Sequence, residues 1–182
     1  MKLTSLLRAA GKPRLAMIDL DFTLWPWGVD KFKMVPPYFK KDDGVYDSKG
    51  VKMEPFPEAE KALRLIKEHG IDLAAVSRSY YYHGGPVLLF YYGWSELFAH
   101  QEVFPARKTH HVTKLHEATG IPYSEMLLFD DEKRNIDDLS PLGVHCVEVN
   151  PNQGLTLNLV KKALESFGQL SGDQQQRAKI AG

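Results

Sequence analysis

A short apolar segment that runs directly into two acids constrains this chain more than any other stretch. Residues 15–18 read Leu-Ala-Met-Ile, which is typical of a buried strand, and Asp19 and Asp21 follow. In open parallel α/β sheets, ligands bind at the carboxyl ends of the strands, and both acids would share one face if the strand continued straight. Neighbouring acids repel each other unless a cation, a proton or a basic group lies between them. A surface turn is the alternative interpretation, because Asp is common in turns.

Strand-like and helix-like segments alternate along the rest of the chain. Strands are expected at 71–76, 101–104, 126–129 and 144–149, and helices at about 57–70, 86–93, 108–120, 133–143 and 159–167. No repeat or linker divides the sequence. The alternation predicts one α/β domain, a doubly wound parallel sheet with flanking helices.

The first connection is long and irregular, and such a connection in a compact domain is usually functional. We call it the flap, residues 25–55. Within it, segments 45–46 and 51–53 flank turn-forming residues and predict a small hairpin. The tryptophans Trp25 and Trp27 either cover the core or contact a substrate.

Composition and charge describe an ordinary globular chain of 182 residues with 23 basic and 23 acidic side chains. This balance gives no field that attracts nucleic acid, and no apolar run of about 18 residues predicts a membrane span. The single cysteine, Cys146, fits a reducing compartment, so we expect a cytoplasmic protein. Residues 1–13 form a basic N-terminal extension, with organelle targeting as the weaker alternative. Residues 14–170 form the domain, and the glutamine-rich residues 171–182 are expected to be a disordered tail.

Chemically useful side chains follow the predicted strands or open a helix: Asp19 and Asp21, then Ser77, then Lys108, then Asp130 and Asp131. In a parallel sheet the strand ends open on one edge, so these groups can meet in one crevice. Acids from two strands supply the oxygen ligands that Mg²⁺ prefers. A carboxylate close to phosphorus is a workable nucleophile, and hydroxyl and ammonium groups bind phosphate oxygens as charge develops on them.

This combination resembles the haloacid dehalogenase (HAD) superfamily of phosphatases, and within it the small branch of magnesium-dependent phosphatases. The resemblance rests on Asp-Leu-Asp-Phe-Thr-Leu-Trp-Pro at 19–26, Ala-Val-Ser-Arg at 75–78 and Phe-Asp-Asp-Glu-Lys-Arg-Asn at 129–135. It covers roughly residues 13–167. It implies the HAD-like Rossmannoid fold, Mg²⁺ as cofactor, and hydrolysis of phosphomonoesters through an aspartyl-phosphate intermediate.

The resemblance also implies a role for each residue. Asp19 attacks phosphorus, and Asp21 protonates the leaving oxygen and then activates the hydrolytic water. A neighbouring carboxylate raises the pKa of an acid that must carry a proton, which supports splitting the two roles. The residues expected to bind the substrate are Phe22, Ser77, Arg78 and Lys108.

The same resemblance places Mg²⁺ between the Asp19 carboxylate, the Asp21 main-chain carbonyl and the second acidic pair. Of that pair, we expect Asp131 to bind the ion directly. Asp130 is expected to orient Lys108 or a metal-bound water.

The connections are too short for the large mobile cap that many HAD enzymes insert, so we expect an open site with only the flap beside it. Such a site accepts a phosphorylated small molecule or a phosphoprotein, with phosphotyrosine and phosphorylated sugar adducts on proteins as candidates. The flap residues Trp25, Trp27 and Tyr38 are candidates for contacting such a substrate. The sequence departs from the superfamily at 80–86, where Tyr-Tyr-Tyr-His-Gly-Gly-Pro replaces a helix-forming run.

Other functions fit the residues less well. A catalytically idle phosphate- or phosphoprotein-binding protein on the same fold is the main alternative, although every residue that the chemistry requires is present. A receiver domain would carry its phosphorylated Asp on a middle strand, which here ends in Ser77. Cys146 lacks the basic residue that a cysteine phosphatase needs after its thiol. The histidines His110, His111 and His116 share one helix without zinc-site spacing and are interpreted as surface residues.

Overall fold

A five-stranded parallel sheet forms the centre of the computed structural model, which describes residues 11–31 and 33–180, with side chains for 11–30 and 33–169. The strands of this sheet and of the flap are β1 (Leu15–Ile18), β2 (Phe39–Lys41), β3 (Gly44–Tyr46), β4 (Asp72–Ser77), β5 (Phe98–Val103), β6 (Met126–Asp130) and β7 (His145–Glu148). The central sheet has the order β5-β4-β1-β6-β7. The predicted α/β, doubly wound parallel architecture is confirmed. Most of the predicted N-terminal extension lies outside the described residues.

Helices cover both faces of this sheet. They are α1 (Ala59–Glu68), α2 (Gly84–Tyr91), α3 (Lys108–Thr119), α4 (Lys133–Leu139) and α5 (Leu157–Ile180), with 3₁₀ turns at Val29–Lys31, Ser95–Leu97, Tyr123–Glu125 and Ser140–Leu142. One apolar cluster joins the sheet to α1, α2 and α5, and a second joins it to α3 and α4. Along β1, Ala16 and Ile18 belong to the first cluster and Leu15 and Met17 to the second, so the strand is apolar on both faces.

The order of the strands places a crevice beside β1. From β1 the chain passes to β4 and β5 on one side, and it returns to β6 and β7 on the other. Open α/β sheets bind ligands at the carboxyl ends of the strands where the order reverses in this way. Asp19 follows β1 and Asp130 ends β6, so an acid lies on each side of the crevice.

The flap contains a hairpin, as expected, but its strands differ from the predicted ones. The segment at 45–46 is the second strand of the hairpin, not the first. β2 and β3 are the antiparallel pair, with Phe39 opposite Tyr46. Residues 51–53 contribute only an isolated bridge, between Tyr46 and Lys52. The turn residues at 42–43 close this hairpin, whereas 47–50 form a separate turn after it.

Asp47 explains why the chain after β3 forms a turn. Its buried carboxylate accepts main-chain hydrogen bonds from Val35 at 3.0 Å, Lys49 at 2.9 Å and Val51 at 2.8 Å. An Asp that binds N–H groups a few residues ahead favours a turn over a strand. The bond to Val35 also ties the hairpin to the first part of the flap.

Two helix boundaries differ from those expected. α2 begins at Gly84, two residues before Pro86, because proline is tolerated in a first helical turn. α5 continues to Ile180, so the structure describes residues 171–180 as helix rather than as the disordered tail that was expected. The Gln, Arg, Ala and Lys residues of that segment are good helix formers. In the described part of the chain, no helix is long and apolar enough to cross a membrane.

We expect Asp47→Asn to lower the free energy of unfolding by about 2 kcal/mol. The asparagine amide is neutral and has one acceptor oxygen, so it cannot replace the charged carboxylate as the acceptor of all three hydrogen bonds. Burial raises the pKa of Asp47, but the main-chain donors Val35, Val51 and Lys49 outweigh burial and hold that pKa below its ordinary value. The stabilisation is therefore complete above the unfolded-state pKa, about 4, and is lost as the pH falls through the lower folded-state pKa.

Urea unfolding of the wild type and Asp47→Asn across a pH series measures this contribution. The stability difference between them should be constant above about pH 5 and should shrink in acid. A difference that persists unchanged in acid would contradict the assigned role of the carboxylate.

Candidate active site

The acids Asp19 and Asp130 lie side by side because β1 and β6 pair in register. Ile18 lies opposite Phe129, and the Asp19 N–H extends the ladder to the Phe129 carbonyl at 2.9 Å. Side chains alternate in direction along a strand, so both acids point to the face that α3 and α4 cover. The first residue of α3 meets them there.

That residue is Lys108, whose ammonium group is fully buried between the two acids. Its Nζ donates a hydrogen bond to Asp19 Oδ1, pairs with Asp130 Oδ2 at 3.0 Å and donates to the Val76 carbonyl at 2.8 Å. Each of its three protons therefore has an acceptor. We call Lys108, Asp19 and Asp130 the buried triad.

Burial and charge oppose each other in the buried triad. Burial disfavours the charge on Lys108, but the Asp19 and Asp130 carboxylates outweigh it and raise the pKa of the lysine. For Asp19, burial outweighs the attraction of Lys108 and, with the Asp130 charge, raises the pKa of the carboxyl well above its ordinary value. Ionising Asp19 is therefore costly, and a further cation beside it would reduce that cost.

Asp21 lies in a turn beyond β1 rather than on a straight continuation of the strand. The strand ends at Ile18, and Phe22 takes a left-handed conformation with φ of 59°. Asp21 accepts hydrogen bonds from Trp25 Nε1 at 2.8 Å and from the Val29 N–H at 2.9 Å. Burial raises the pKa of Asp21 to about 6. The two acids of the first motif thus have different surroundings, as a nucleophile and a general acid require.

The end of β4 brings two more predicted residues to the crevice. Ser77 is buried, and its Oγ accepts a hydrogen bond from the Ser79 N–H at 3.4 Å. Arg78 donates to Glu132 Oε2 at 2.9 Å, which holds its guanidinium beside α4. Ser77, Arg78 and Phe22 all line one cavity of about 210 Å³.

An acidic cluster at this cavity fits a divalent cation. Single carboxylate oxygens of Asp19, Asp130 and Asp131 all lie within 4.8 Å of one another. Oxygen donors of this kind suit Mg²⁺, which also keeps water and substrate phosphate in its shell. Burial, followed by the neighbouring charge of Asp130, raises the pKa of Asp131 to about 6. Bound Mg²⁺ would favour the ionised form of these acids.

The contacts of Asp130 separate its role from that of Asp131. Asp130 Oδ1 accepts from the Glu132 N–H and from Asn135 Nδ2, each at 2.9 Å. Its Oδ2 accepts from Asn135 at 3.1 Å and pairs with Lys108. Asp130 therefore orients Lys108, whereas Asp131 lines the cavity. Direct ligation of Mg²⁺ by Asp131 stays a prediction.

Half of the residues that line the cavity were not predicted from the sequence. The lining consists of Asp19, Asp21, Phe22, Gly28, Asp30, Ser77, Arg78, Ser79, Tyr80, Asp131, Glu132 and Asn135. Glu132 and Asn135 belong to the motif at 129–135, so a signal for them was present. The others lie on loops that come together only in the fold.

Asp30 is the clearest of these omissions. Its carboxylate accepts hydrogen bonds from Ser79 Oγ at 2.8 Å and from the N–H groups of Tyr80 at 2.9 Å and Tyr81 at 2.8 Å. It thereby joins the flap to the loop after β4. The partners lie about 50 positions away in the chain, and no local spacing reveals the contact.

The unusual run at 80–86 contributes one residue, Tyr80, to the lining of the cavity. Tyr80 is 80% exposed and lines the cavity, whereas Gly84 and Gly85 are buried. A Cβ on Gly84 would lie 2.6 Å from the Tyr81 ring, and a Cβ on Gly85 would lie 2.6 Å from the Leu20 side chain. The two glycines therefore let α2 pack directly against the site.

Of the two roles considered for Trp25 and Trp27, covering the core is the one observed. Trp25, Trp27 and Tyr38 are each at most 5% exposed, so the suggestion that they contact the substrate is wrong. The tryptophan rings stack with centroids 6.2 Å apart, and Trp25 acts on the site only through its hydrogen bond to Asp21. His111, which was expected on the helix surface, is also buried. An amphipathic pattern does not reveal the burial of His111, because its Nε2 contacts the Ser77 and Phe104 carbonyls, which lie outside α3.

Solved structures define the class of the fold. A haloacid dehalogenase-like family hydrolase from Xanthomonas campestris aligns with a TM-score of 0.68 over 92% of this chain and 97% of that chain, at 12% identity. The 3-deoxy-D-manno-octulosonate 8-phosphate phosphatase of Moraxella catarrhalis, in complex with magnesium, phosphate and KDO, aligns with a TM-score of 0.52 over 95% of both chains, at 14% identity. At these identities the likeness shows the fold alone, which is haloacid dehalogenase-like.

Sequence comparisons define the family. The acid phosphatase family model matches residues 12–169. Human magnesium-dependent phosphatase 1 is 40% identical over 156 residues, which are 85% of this chain and 87% of the human protein. A HAD-like hydrolase superfamily protein of Schizosaccharomyces pombe is 29% identical over 147 residues, 75% of this chain and 85% of the yeast protein. The chain therefore belongs to the acid phosphatase family within the HAD superfamily, which confirms the resemblance seen in its motifs.

We expect Lys108→Met to lower the free energy of unfolding by about 3–5 kcal/mol, because it leaves two buried carboxylates without their cation. Lys114→Met is the matched control on the same helix. Lys114 is exposed and pairs with Glu102 at 2.6 Å, and such surface pairs contribute at most about 1 kcal/mol. Urea unfolding measures both variants, and equal losses would contradict the central role of the buried triad.

Proposed function

We propose that this protein hydrolyses phosphomonoesters in a Mg²⁺-dependent reaction that proceeds through a phosphorylated Asp19. Membership of the acid phosphatase family makes it a phosphatase. The observation that carries the mechanism is the buried triad, in which Lys108 contacts Asp19 and Asp130, beside a cavity that Asp19, Ser77 and Arg78 line. The likeness to a human phosphatase named for magnesium supports the choice of metal.

In this mechanism Asp19 is the nucleophile. It lines the cavity while Lys108 holds it from the α3 side, so the carboxylate is oriented. Bound Mg²⁺ would favour the ionised form that the attack requires. Attack forms a bond between an Asp19 oxygen and phosphorus, and it breaks the bond from phosphorus to the leaving oxygen. The product of this step is an acyl phosphate on Asp19 and a free alcohol.

Asp21 is the general acid of the first step and the general base of the second. Its pKa of about 6 gives it a substantial protonated fraction near neutral pH. Protonated Asp21 donates to the leaving oxygen, and the resulting carboxylate then takes a proton from the water that cleaves the acyl phosphate. The hydrogen bonds from Trp25 and Val29 hold the group in place for both transfers.

The remaining predicted residues bind the phosphoryl group. The Ser77 hydroxyl and the Arg78 guanidinium line the cavity, and Lys108 lies behind Asp19 at the start of α3. To bind a phosphate oxygen, the Lys108 ammonium exchanges one of its three protein acceptors, Asp19, Asp130 or the Val76 carbonyl, for that oxygen. Phe22 lines the same cavity at the left-handed turn. Asp19, Asp131 and the Asp21 carbonyl would hold Mg²⁺, which when bound neutralises charge on the phosphate oxygens.

The site favours a substrate whose phosphate projects from a large group. Between β1 and α1, and between β4 and β5, the described residues form only the flap hairpin and short helices, with no cap domain over the cavity. Tyr80 offers an exposed aromatic ring at the entrance. Aromatic faces stack on rings, so we propose phosphotyrosine or a phosphorylated sugar adduct on a protein as the substrate.

We expect Asp19→Asn to abolish hydrolysis of para-nitrophenyl phosphate, because an amide is a poor nucleophile, while circular dichroism shows a folded protein. EDTA should abolish the phosphatase activity of the wild type, and added Mg²⁺ should restore that activity. Asp21→Asn should accumulate a phospho-enzyme that Asp19→Asn cannot form. More than a few per cent of activity in Asp19→Asn would point to another nucleophile. An inactive wild type would favour the idle binding protein instead.

We expect Tyr80→Ala to lower kcat/KM for a phosphotyrosine peptide by about threefold to tenfold, the size of one aromatic contact. Hydrolysis of acetyl phosphate, which has no ring, should be unaffected. Tyr82→Ala is the matched control, since Tyr82 is also exposed but does not line the cavity. A loss of the same size on both substrates would show that Tyr80 supports the loop rather than the substrate.

A further inference from the structure

His111 lies one turn after Lys108 on α3 and is fully buried. Its Nε2 lies 3.0 Å from the Ser77 carbonyl and 3.0 Å from the Phe104 carbonyl. Its Nδ1 lies 3.1 Å from the Arg107 carbonyl. All three partners are acceptors, so the imidazole contributes to this contact only as a donor.

The partners of the two ring nitrogens assign the proton. A neutral imidazole carries one N–H. The Arg107 carbonyl accepts from the His110 N–H at 2.9 Å, and the Ser77 carbonyl likewise accepts from the Phe104 N–H at 3.1 Å, so these two oxygens do not differ in that respect. Nδ1 faces one carbonyl. Nε2 faces two carbonyls from other segments, so the proton belongs on Nε2. The Phe104 ring, stacked at 3.9 Å and 14° from the His111 ring, fixes its plane.

Lys108 and His111 bind successive carbonyls at the end of β4. Lys108 Nζ donates to Val76 at 2.8 Å, and His111 Nε2 lies 3.0 Å from the Ser77 oxygen. Residues three apart on a helix share one face, so a single turn of α3 holds both peptide groups. The main chain that carries the Ser77 hydroxyl is thereby placed relative to the Lys108 ammonium.

We propose that His111 is a positioning residue for phosphoryl transfer: its Nε2–H holds the Ser77 main chain so that the Ser77 hydroxyl and the Lys108 ammonium meet the same phosphoryl group. This inference rests on the proposed function, in which those two groups bind the phosphate. His111 does not line the cavity and acts through Ser77. A displacement of about 1 Å at such a group can reduce catalysis about 100-fold.

The opposite end of α3 provides a matched histidine. His116 Nδ1 lies 2.7 Å from the Ile121 carbonyl, and its ring lies 4.7 Å from that of Tyr123. His116 therefore makes the same kinds of contact as His111 without touching the end of β4. A purely structural role would give the two histidines similar effects on stability and no effect on turnover.

The test compares His111→Phe with His116→Phe, each of which keeps a ring and removes the N–H. Urea unfolding, kcat and KM for para-nitrophenyl phosphate are measured at saturating Mg²⁺. We expect both variants to lose stability, and only His111→Phe to lose kcat, by about tenfold to 100-fold. His111→Gln, which restores a side-chain N–H donor, should recover part of the loss.

Unchanged kcat in folded His111→Phe, or equal losses in both Phe variants, would overturn the inference. If His111→Phe does not fold, the kcat of His111→Leu against His116→Leu decides in the same way, because leucine also lacks the N–H and is smaller than phenylalanine. Nitrogen NMR of the wild type measures independently which ring nitrogen of His111 carries the proton. A proton on Nδ1 instead of Nε2 would also overturn the inference. A wild type without phosphatase activity would refute the proposed function itself, a result that no His111 variant can mimic.

Discussion

One buried ammonium group ties the three central strands together at their carboxyl ends. Lys108 contacts Asp19 after β1, Val76 in β4 and Asp130 in β6. Removing these charges from water is unfavourable, and only close partners compensate for it. The geometry of the site therefore depends on the registers β1–β6 and β1–β4, which bring those partners within reach of one side chain. The same contacts that stabilise the sheet edge also orient the nucleophile.

Acids outside the buried triad organise the surroundings of the site by binding main-chain N–H groups. Asp30 holds the loop that carries Tyr80, and Asp47 closes the turn after the flap hairpin. Each carboxylate accepts hydrogen bonds from several main-chain N–H groups that would otherwise pair with main-chain carbonyls in a helix or a sheet. Of these two segments, the one that Asp30 holds contributes Tyr80 to the lining of the cavity.

The parts of the fold that could be predicted are those with local signals. The apolar runs of β1 and β6 show strands buried on both faces, and the acids that follow them mark the ligand-binding edge. Ser77 and Lys108 were found because Ser77 follows a predicted strand and Lys108 opens a predicted helix, and the order of the motifs then matched a superfamily. His111 was misplaced on the surface, because its partners Ser77 and Phe104 are contributed by other segments.

By itself, the sequence determined the parallel α/β architecture and the acids, serine and lysine of the site, because hydrophobic period and motif spacing are properties of neighbouring residues. Only the tertiary structure decided which aromatic residues are buried, which tyrosine stands at the entrance, and which acid holds the lysine. Those outcomes depend on strand register and on loops that meet across 50 or more positions. Packing at such distances follows from the whole core, and no short stretch of chain encodes it.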